Sequence, residues 1–200
     1  MEYFSTTRLV ARDWEAADAQ AAFNIYGREE VMRWLGPQPR RPVASLDLMR
    51  DQLDRMIARG PEEPGYGLWA AALRTSGEVV GAALLQPLPG GDGEVEIGWH
   101  LNPDHWGHGY ATEAGRGAIG LAFGLDQVGP ERVNVSLANR PDRMPLDRVL
   151  AVVDPDNFRS QAVCRRLGMS HLGQTDSYYG LTLELFELSR DAVSRPASRL

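Results

Sequence analysis

The chain has 200 residues, 43% of them hydrophobic, which is enough for one domain with a sizeable core. A net charge of −6 argues against a general nucleic-acid binder, because such proteins need cations to neutralise phosphates. The single cysteine, Cys164, excludes an internal disulfide and suits a reducing cytoplasm. The sequence has no apolar run near the ~20 residues of a membrane span and no secretory signal. We therefore expect a cytoplasmic protein without a membrane partner.

The first predicted element is a strand in "TTRLVARDW", where Leu9 and Ala11 alternate with polar residues. Asp13 is expected to cap the helix that follows. A shorter helix is predicted over 28–35 and ends at the proline-rich loop "GPQPRRP". Ser45 is expected to begin a third, amphipathic helix.

Three consecutive strands are then predicted in "YGLWAAALR", "EVVGAALLQPL" and "EVEIGWHL". A helix over 111–125, a strand in "LDRVLAVVD", a helix that begins at Asp156 or Asn157, and a strand in "YYGLTLELFELSR" complete the pattern. This order predicts an α/β protein with a mixed sheet of six or seven strands. We expect one domain over 1–190. Within it, residues 126–145 are expected to form an insertion with a short hairpin around "RVNVSL", and 191–200 are expected to form a flexible tail.

The segment "HWGHGYATEA" places Gly107 and Gly109 directly before a predicted helix. A bare backbone at a helix start presents free N–H groups and the positive end of the helix dipole, which suits a phosphate. The small residues Ala111 and Thr112 would keep the first turn open. In this hypothesis the main chain, and not side-chain charge, carries the binding. The alternative is that glycine serves only a turn with positive φ.

The order strand, Asn-Pro turn, glycine loop and helix resembles the acetyl-CoA pyrophosphate loop of the GNAT N-acetyltransferases. In that family the loop follows the pattern Q/R-G-x-G-x-G/A, which Gly107, Gly109 and Ala111 match. Trp106 stands where Gln or Arg is usual, a departure similar to the RimJ/RimL-like branch, which acetylates ribosomal-protein N-termini, and to its antibiotic- and metabolite-modifying relatives. "TTRLVARDW" and "VVDPDNFRSQAVCRRLGM" resemble two further motifs of that branch. The resemblance implies a GNAT fold, with a sheet splayed in the middle and helices on both faces.

The resemblance also implies acetyl-CoA as co-substrate, without a metal. The residues that it assigns to the cofactor are Trp106, Gly107, His108, Gly109, Tyr110, Ala111, Thr112, Asn157 and Cys164. It further implies that the backbone N–H near His100 or Leu101 donates to the thioester carbonyl. Gly98 fits either a bulge that opens the sheet there or close packing against a neighbouring helix.

The candidate general bases are Glu96 and His100, which share one face of a regular strand with Glu94. A carboxylate in a sheet beside an apolar cleft should have its pKa raised, so Glu96 is favoured. Glu94 lies nearer the strand's start and is interpreted as a solvated surface charge. A histidine at a strand end is more often a structural hydrogen-bonding group.

The general acid has several candidates. The position that holds a tyrosine in many family members is here Cys164, whose thiol is a weak donor that packs. Ser160 matches a serine of the branch with tryptophan in its loop, and could protonate the thiolate or bind the pantetheine amide. Tyr178 or Tyr179 is an alternative donor, and a CoA thiolate could also leave without an acid. The acceptor amine is expected to enter between Trp34 and Tyr178.

The leading hypothesis is an N-acetyltransferase in which a primary amine, from a small molecule or a protein N-terminus, attacks the thioester directly. We expect a monomer or homodimer with no nucleic-acid partner. The alternative is a catalytically silent acyl-CoA-binding sensor or subunit, which would share the loop and differ at Glu96 and Cys164. No metal site is expected, because His105 and His108 lack a third ligand of suitable spacing.

Overall fold

The centre of the molecule is one large mixed sheet. A computed structural model of the chain describes residues 1–36, 39–60, 65–136 and 145–194. Within these residues, nine strands form the sheet in the order β10-β11-β9-β5-β4-β3-β2-β1-β8, and every pairing except β5 with β9 is antiparallel. A separate hairpin contains β6 and β7. The strands are β1 (Glu2–Ser5), β2 (Leu9–Arg12), β3 (Gly67–Leu73), β4 (Val79–Pro87), β5 (Val95–Leu101), β6 (Gln127–Val128), β7 (Glu131–Arg132), β8 (Asn134–Val135), β9 (Arg148–Val153), β10 (Ser170–Thr175) and β11 (Leu183–Ser189).

Helices cover both faces of this sheet. They are α1 (Ala19–Tyr26), α2 (Glu29–Met32), α3 (Leu46–Arg59), α4 (Tyr110–Phe123), α5 (Phe158–Arg166) and α6 (Arg190–Ser194), with short 3-10 turns at Ala16–Asp18 and Pro103–His105. On one face, Phe123 of α4 and Val163 of α5 belong to the larger buried core. On the other face, Ile25 of α1 and Leu53 of α3 pack with alanines of β3 and β4. The predicted α/β architecture is confirmed. None of the described helices is long and apolar enough to span a membrane.

The sheet opens between β5 and β9. Strand β5 pairs with β4 along its whole length, but it pairs with β9 at one position only, where Glu96 lies opposite Leu150. Beyond that position the two strands separate. The register of β5 against β4 runs without interruption through Gly98, so the bulge considered there is absent. A side chain on Gly98 would meet Leu84 of β4, which makes this glycine a site of close packing against a strand and not against a helix.

The sheet has more strands than the six or seven predicted. Strand β1 was not predicted because its residues do not alternate between buried and exposed. Its register shifts after Glu2, and the consecutive residues Tyr3 and Phe4 are both buried. Strand β10 lies at the edge of the sheet and is mostly exposed, so it carries little apolar pattern. Strand β8 has two residues and is recognisable only from its pairing with β1.

The predicted cap at Asp13 is wrong. Asp13 instead accepts a hydrogen bond from the Tyr3 hydroxyl at 2.8 Å and pairs with the N-terminal amine at 3.0 Å. The helical segment begins after Glu15, where Glu15 and Asp18 form a reciprocal capping box. Ser45, by contrast, caps α3 as predicted by accepting from the Leu48 N–H.

The segment predicted to be an insertion contains more structure than a single hairpin. The turn of its hairpin lies between β6 and β7, before the predicted position, and β8 continues into the main sheet. Residues 137–144 of this segment lie outside the described residues. The predicted tail begins inside α6, and residues 195–200 are outside the description.

Candidate active site

A cavity of about 780 Å³ lies beside the opening between β5 and β9, next to the start of α4. The sequence-predicted residues that line it are Trp34, His100, Leu101, Trp106, Gly107, Gly109, Tyr110, Ala111, Thr112, Asn157 and Ser160. Two predicted cofactor residues, His108 and Cys164, do not line it. The fold therefore brings most of the predicted loop, the end of β5, the start of α4 and one side of α5 to one surface.

The glycine loop at this cavity uses positive φ at two positions. Gly107 has φ +84° and Gly109, which caps α4, has φ +82°. A Cβ on Gly107 would meet no atom within 4 Å, so conformation and not crowding by the protein requires glycine there. Within the described part of the chain, no side chain caps α4, and the first amides of this helix lie at the cavity wall. The two glycines therefore adopt the positive φ that the turn hypothesis requires. The first N–H groups of α4 also remain available to an anion, as the phosphate hypothesis requires.

The indole of Trp106 anchors the loop to the end of β5. Its Nε1–H donates to the Leu101 carbonyl at 3.1 Å. The guanidinium of Arg159 lies over the Trp106 ring, 4.6 Å from its centre. A glutamine or arginine at this position would offer neither the same ring face nor the same rigid donor.

Arg8, the residue immediately before β2, braces the same loop and was not among the residues singled out from the sequence. Its guanidinium pairs with Glu113 of α4 at 2.6 Å and donates to the His108 carbonyl at 3.0 Å. It also lies 4.6 Å from the centre of the Tyr110 ring. The Glu113 side chain is almost fully buried and also accepts from the hydroxyl of Thr6 at 2.7 Å. Nothing in the local sequence around Arg8 indicates this contact, because its partners are about a hundred residues away.

Two arginines of α5 add positive charge to the cavity. Arg159 and Arg166 line it together with Ala162 and Val163, a stripe with i, i+3, i+4 and i+7 spacing. Arg166 also donates to the Thr112 hydroxyl at 3.2 Å. Side-chain charge thus accompanies the main chain, contrary to the expectation drawn from the acidic composition. The stripe was visible in the sequence and was missed.

A smaller cavity of about 290 Å³ adjoins the first one, and both are lined by Trp34, Leu35 and His100. The polar side chains that line the smaller cavity are Arg40, Gln86, Glu96, His100, Asp154 and Tyr179. Its other described lining residues are Gly36 and an apolar wall, which we define as Trp34, Leu35, Leu68, Leu84, Val152, Leu181 and Leu183. The two cavities therefore lie next to each other, with His100 lining both, and together they form the candidate site.

Glu96 is the buried carboxylate of the smaller cavity. Burial raises its pKa from 4.5 to about 7, and hydrogen bonds from Tyr179 and Gln86 oppose part of that rise. The Tyr179 hydroxyl donates to Glu96 Oε2 at 2.6 Å, and Gln86 Nε2 donates to the Tyr179 oxygen at 3.1 Å. A carboxylate with a pKa near neutrality is suited to take a proton from an amine. Glu94, in contrast, pairs with Arg148 at 3.5 Å and does not line either cavity.

The tyrosine at this cavity is Tyr179 and not Tyr178. Tyr178 is buried with Leu88 and Leu150 in a separate apolar cluster, so its predicted contact with the acceptor is not supported. Tyr179 has φ +57°, a left-handed conformation that a non-glycine residue rarely adopts. This conformation accompanies the contact between its hydroxyl and Glu96. Two adjacent tyrosines in a sequence do not reveal which of them lines the cavity.

His100 joins the two cavities but is a poor candidate for the base. Burial lowers its pKa from 6.5 to about 4, so the ring is neutral at neutral pH. Its Nδ1 lies 3.1 Å from the Tyr26 hydroxyl, and the two rings meet edge to face. The structural role considered for this histidine fits these contacts.

The main chain of Leu101 faces the opening of the sheet. The Asn102 N–H donates to the Val80 carbonyl of β4 at 3.0 Å. Because main-chain groups alternate in direction along a strand, His100 also faces β4, whereas Leu101 points towards the β9 side. The Trp106 contact to the Leu101 carbonyl agrees with this direction. Of the two amides considered from sequence, that of Leu101 is the one placed to meet a ligand in the opening.

The two predicted residues of α5 separate clearly. Ser160 lines the larger cavity, one turn after Asn157, whose side-chain oxygen accepts the Ser160 N–H at 3.2 Å. Cys164 is fully buried in the core, where burial raises the pKa of its thiol to about 12. The expected contact between Cys164 and the cofactor is therefore not supported, and its packing role is the one observed.

The histidines of the loop hold structural contacts. His105 Nε2 lies 3.2 Å from Glu78, and the His108 ring stacks on Tyr110 and contacts the Trp106 carbonyl. Among the residues that the structure describes, no group of three or more potential metal-binding side chains is found.

Comparisons with known proteins show the family to which the chain belongs. Residues 8–170 match the family model of the acetyltransferase (GNAT) domain. YoaA of Bacillus subtilis (strain 168), described as an uncharacterized N-acetyltransferase, is 25% identical over 173 residues, which are 86% of this chain and 85% of that protein. A GNAT-family acetyltransferase from Bacillus anthracis has the same fold, with a TM-score of 0.69 and 20% identity over 96% of this chain and 99% of that one. The ribosomal L7/L12 α-N-protein acetyltransferase RimL, solved with coenzyme A, gives a TM-score of 0.60 and 16% identity, covering 93% and 96% of the two chains. The chain belongs to the GNAT acetyltransferase family.

Proposed function

We propose that this protein is an acetyl-CoA-dependent N-acetyltransferase that acetylates a primary amine by direct attack on the thioester. The observation that carries the proposal is the meeting of two cavities at His100. One contains the glycine loop and a bare helix start, and the other contains a buried carboxylate whose pKa is near neutrality. A site that only bound an acyl-CoA would have no use for such a carboxylate.

The larger cavity suits coenzyme A. The amides at the start of α4 and the positive-φ glycines offer main-chain contacts to the pyrophosphate, and Arg159 and Arg166 add cationic side chains. Asn157 and Ser160 extend the same wall along α5. Bound acetyl-CoA would supply the activated acetyl group as a thioester.

The chain's own residues would perform three tasks around that thioester. Glu96 takes the proton that the amine must lose as its nitrogen bonds to the carbonyl carbon. The Leu101 N–H donates to the carbonyl oxygen, where negative charge develops. The carbon–sulfur bond then breaks, and the Ser160 hydroxyl is the candidate to protonate the leaving thiolate, its own proton being replaced from solvent.

Within the family, we place the chain in the RimJ/RimL-like branch. Trp106 in the loop and Ser160 in α5 support this placement, and RimL shares the fold. The acceptor would be a small-molecule amine or a protein N-terminus, and a monomer or homodimer acting without nucleic acid or metal is consistent with the proposal.

The test is a screen of amine classes for acetyl-CoA consumption, in which the release of free CoA thiol is measured. We expect turnover with at least one class, and we expect Glu96→Gln to lower kcat by roughly 10²–10⁴-fold without weakening CoA binding, as for the loss of a general base. CoA binding without thiol release for any amine would instead identify a silent acyl-CoA-binding module. Normal turnover in Glu96→Gln would remove Glu96 as the base.

A further inference from the structure

The smaller cavity holds a single uncompensated charge among its described lining residues. Arg40 and Asp154 both line it, but they pair with each other at 2.5 Å and are nearly buried. Arg40 also donates to the main-chain carbonyls of Gly36 and Arg33. This pair is therefore neutral as a unit and held in place by the loop that carries Arg40. The charge that remains is that of Glu96.

The other titratable groups that face the cavity are uncharged at neutral pH. Burial lowers the pKa of His100 and raises the pKa of Tyr179, so the first is a neutral ring and the second a neutral phenol. Gln86 is uncharged by nature. Among the described lining residues, Glu96 is thus the one carboxylate available to an ammonium group that enters the cavity, since Asp154 is already paired with Arg40.

The rest of the surface is apolar and the space is small. The apolar wall comes from the turn after α2, from the four strands β3, β4, β9 and β11, and from the loop before β11. A volume of about 290 Å³ is at the low end of ligand pockets, which span roughly 300–1,000 Å³. A second charge on the acceptor would lie against this wall without a partner, and burial of an unpaired charge is strongly unfavourable.

From these observations, and resting on the proposed function, we infer that the acceptor is a primary amine carried on a compact, uncharged and mainly apolar group. Polyamines and aminoglycosides, which carry several ammonium groups, do not fit this surface. The same chemistry could come from a free amine or from the N-terminus of a peptide whose first side chain is small and uncharged.

Matched amines test the inference. The pair n-pentylamine and cadaverine has the same carbon chain and differs by one terminal ammonium group, and the peptide amides Ala-Ala-Ala and Lys-Ala-Ala differ by one side-chain charge. We expect kcat/KM to be roughly 10- to 100-fold higher for the uncharged member of whichever pair is turned over, because the second charge is buried without a partner. The pair that is turned over identifies the source of the amine.

A charge placed in the wall provides the converse test. Leu181→Glu adds a carboxylate to the wall, and we expect it to narrow the preference for the uncharged member by roughly tenfold, since the second ammonium then has a partner. Leu172→Glu makes the same change at an exposed leucine of β10 that does not line the cavity, and should leave the preference unchanged.

Three outcomes overturn the inference. They are equal or better turnover of the charged members, turnover of polyamines alone, and an unchanged preference in Leu181→Glu. Absence of thiol release with every amine, despite bound acetyl-CoA, would overturn the proposed function as well, and so the two failures are distinguishable.

Discussion

The hydroxyl of Tyr179 has one proton, and its neighbours determine where that proton points. Gln86 Nε2 donates to the Tyr179 oxygen at 3.1 Å, which leaves the Tyr179 proton free to donate to Glu96 Oε2 at 2.6 Å. This contact favours the ionised form of Glu96 and opposes the effect of burial. Tyr179 therefore orients the proposed base and lowers its pKa through this hydrogen bond.

Removing that hydroxyl should shift the pH dependence of the reaction. In Tyr179→Phe the pKa of Glu96 loses a lowering contribution, so the acidic limb of the kcat/KM profile should move upward by about one pH unit. Tyr178→Phe is the matched control, because the neighbouring Tyr178 lines neither cavity. An acidic limb at the same pH in wild type and Tyr179→Phe would show that the contact does not tune the base.

Ser160 and Cys164, one turn apart on α5, should respond differently to alanine. Ser160→Ala removes a hydroxyl at the cavity and should lower kcat, whereas Cys164→Ala removes a buried thiol from the core and should cost stability, on the order of 1 kcal/mol, with little loss of rate. Steady-state kinetics and urea denaturation separate the two effects. If Cys164→Ala lost turnover while Ser160→Ala kept it, and the intact mass of the wild-type protein rose by one acetyl group after incubation with acetyl-CoA, the thiol would instead be a participant.

At the scale of elements, Arg8, the residue before β2, connects the start of that strand to the first turn of α4. It compensates the buried Glu113 carboxylate and holds the His108 carbonyl, and the position of a Cβ on Gly109 would be 3.6 Å from its Nη2. The glycine loop is thus held in place by Arg8, a residue that does not line the larger cavity. A loop held in one conformation loses less freedom when a ligand binds.

Arg8→Lys should therefore weaken CoA binding more than it lowers turnover. Lysine keeps the charge near Glu113 but lacks the planar fork that reaches both the carboxylate and the carbonyl. We expect roughly tenfold weaker CoA affinity by calorimetry, with kcat at saturating acetyl-CoA little changed.

Arg12→Lys is the control for a general loss of stability. Arg12 is the last residue of β2, the strand that follows Arg8, and it forms two hydrogen bonds with Asp18, at 2.7 and 2.9 Å, away from the loop. Its substitution should lower the melting temperature and leave CoA affinity at the wild-type level. Equal loss of affinity in both variants would assign the effect to stability alone.

Local patterns predicted the elements whose residues interact with near neighbours in the chain. The strand "EVEIGWHL", the Asn102-Pro103 turn and the helix after Gly109 follow from alternation, turn chemistry and helical spacing. Glu96 could be singled out because a carboxylate in a sheet beside an apolar cleft should have its pKa raised. Arg8 and Tyr179 could not, since their roles depend on partners that only the tertiary fold brings near. Strand β10 was missed because an exposed edge strand needs no apolar alternation.

At the scale of the whole molecule, the opening of the sheet brings two groups with opposite titration behaviour into one site. Glu96 has a pKa raised from 4.5 to about 7, and His100 has a pKa lowered from 6.5 to about 4. Both shifts follow from burial, which penalises the charged form of each group. Each shift links the protonation of that group to the stability of the fold.

The two linkages have opposite signs. The contribution of Glu96 to stability is fully present below pH 4.5 and is lost as the pH rises through about 7. The contribution of His100 is fully present above pH 6.5 and is lost as the pH falls through about 4. Each amounts to roughly 3–4 kcal/mol at most, since one pKa unit corresponds to about 1.4 kcal/mol. Over the range they share, the two effects nearly cancel.

Substituting either residue should therefore reveal a pH dependence of the free energy of unfolding that is nearly cancelled in the wild type. In Glu96→Gln, the free energy of unfolding should rise with pH between about 4.5 and 6.5, because only the His100 linkage remains. In His100→Gln it should fall over the same range, because only the Glu96 linkage remains. Urea denaturation at a series of pH values measures both slopes against the wild type. Parallel pH profiles in all three proteins would show that neither group is protonated differently in the folded and unfolded chains, and would remove the electrostatic basis for Glu96 as a base near neutral pH.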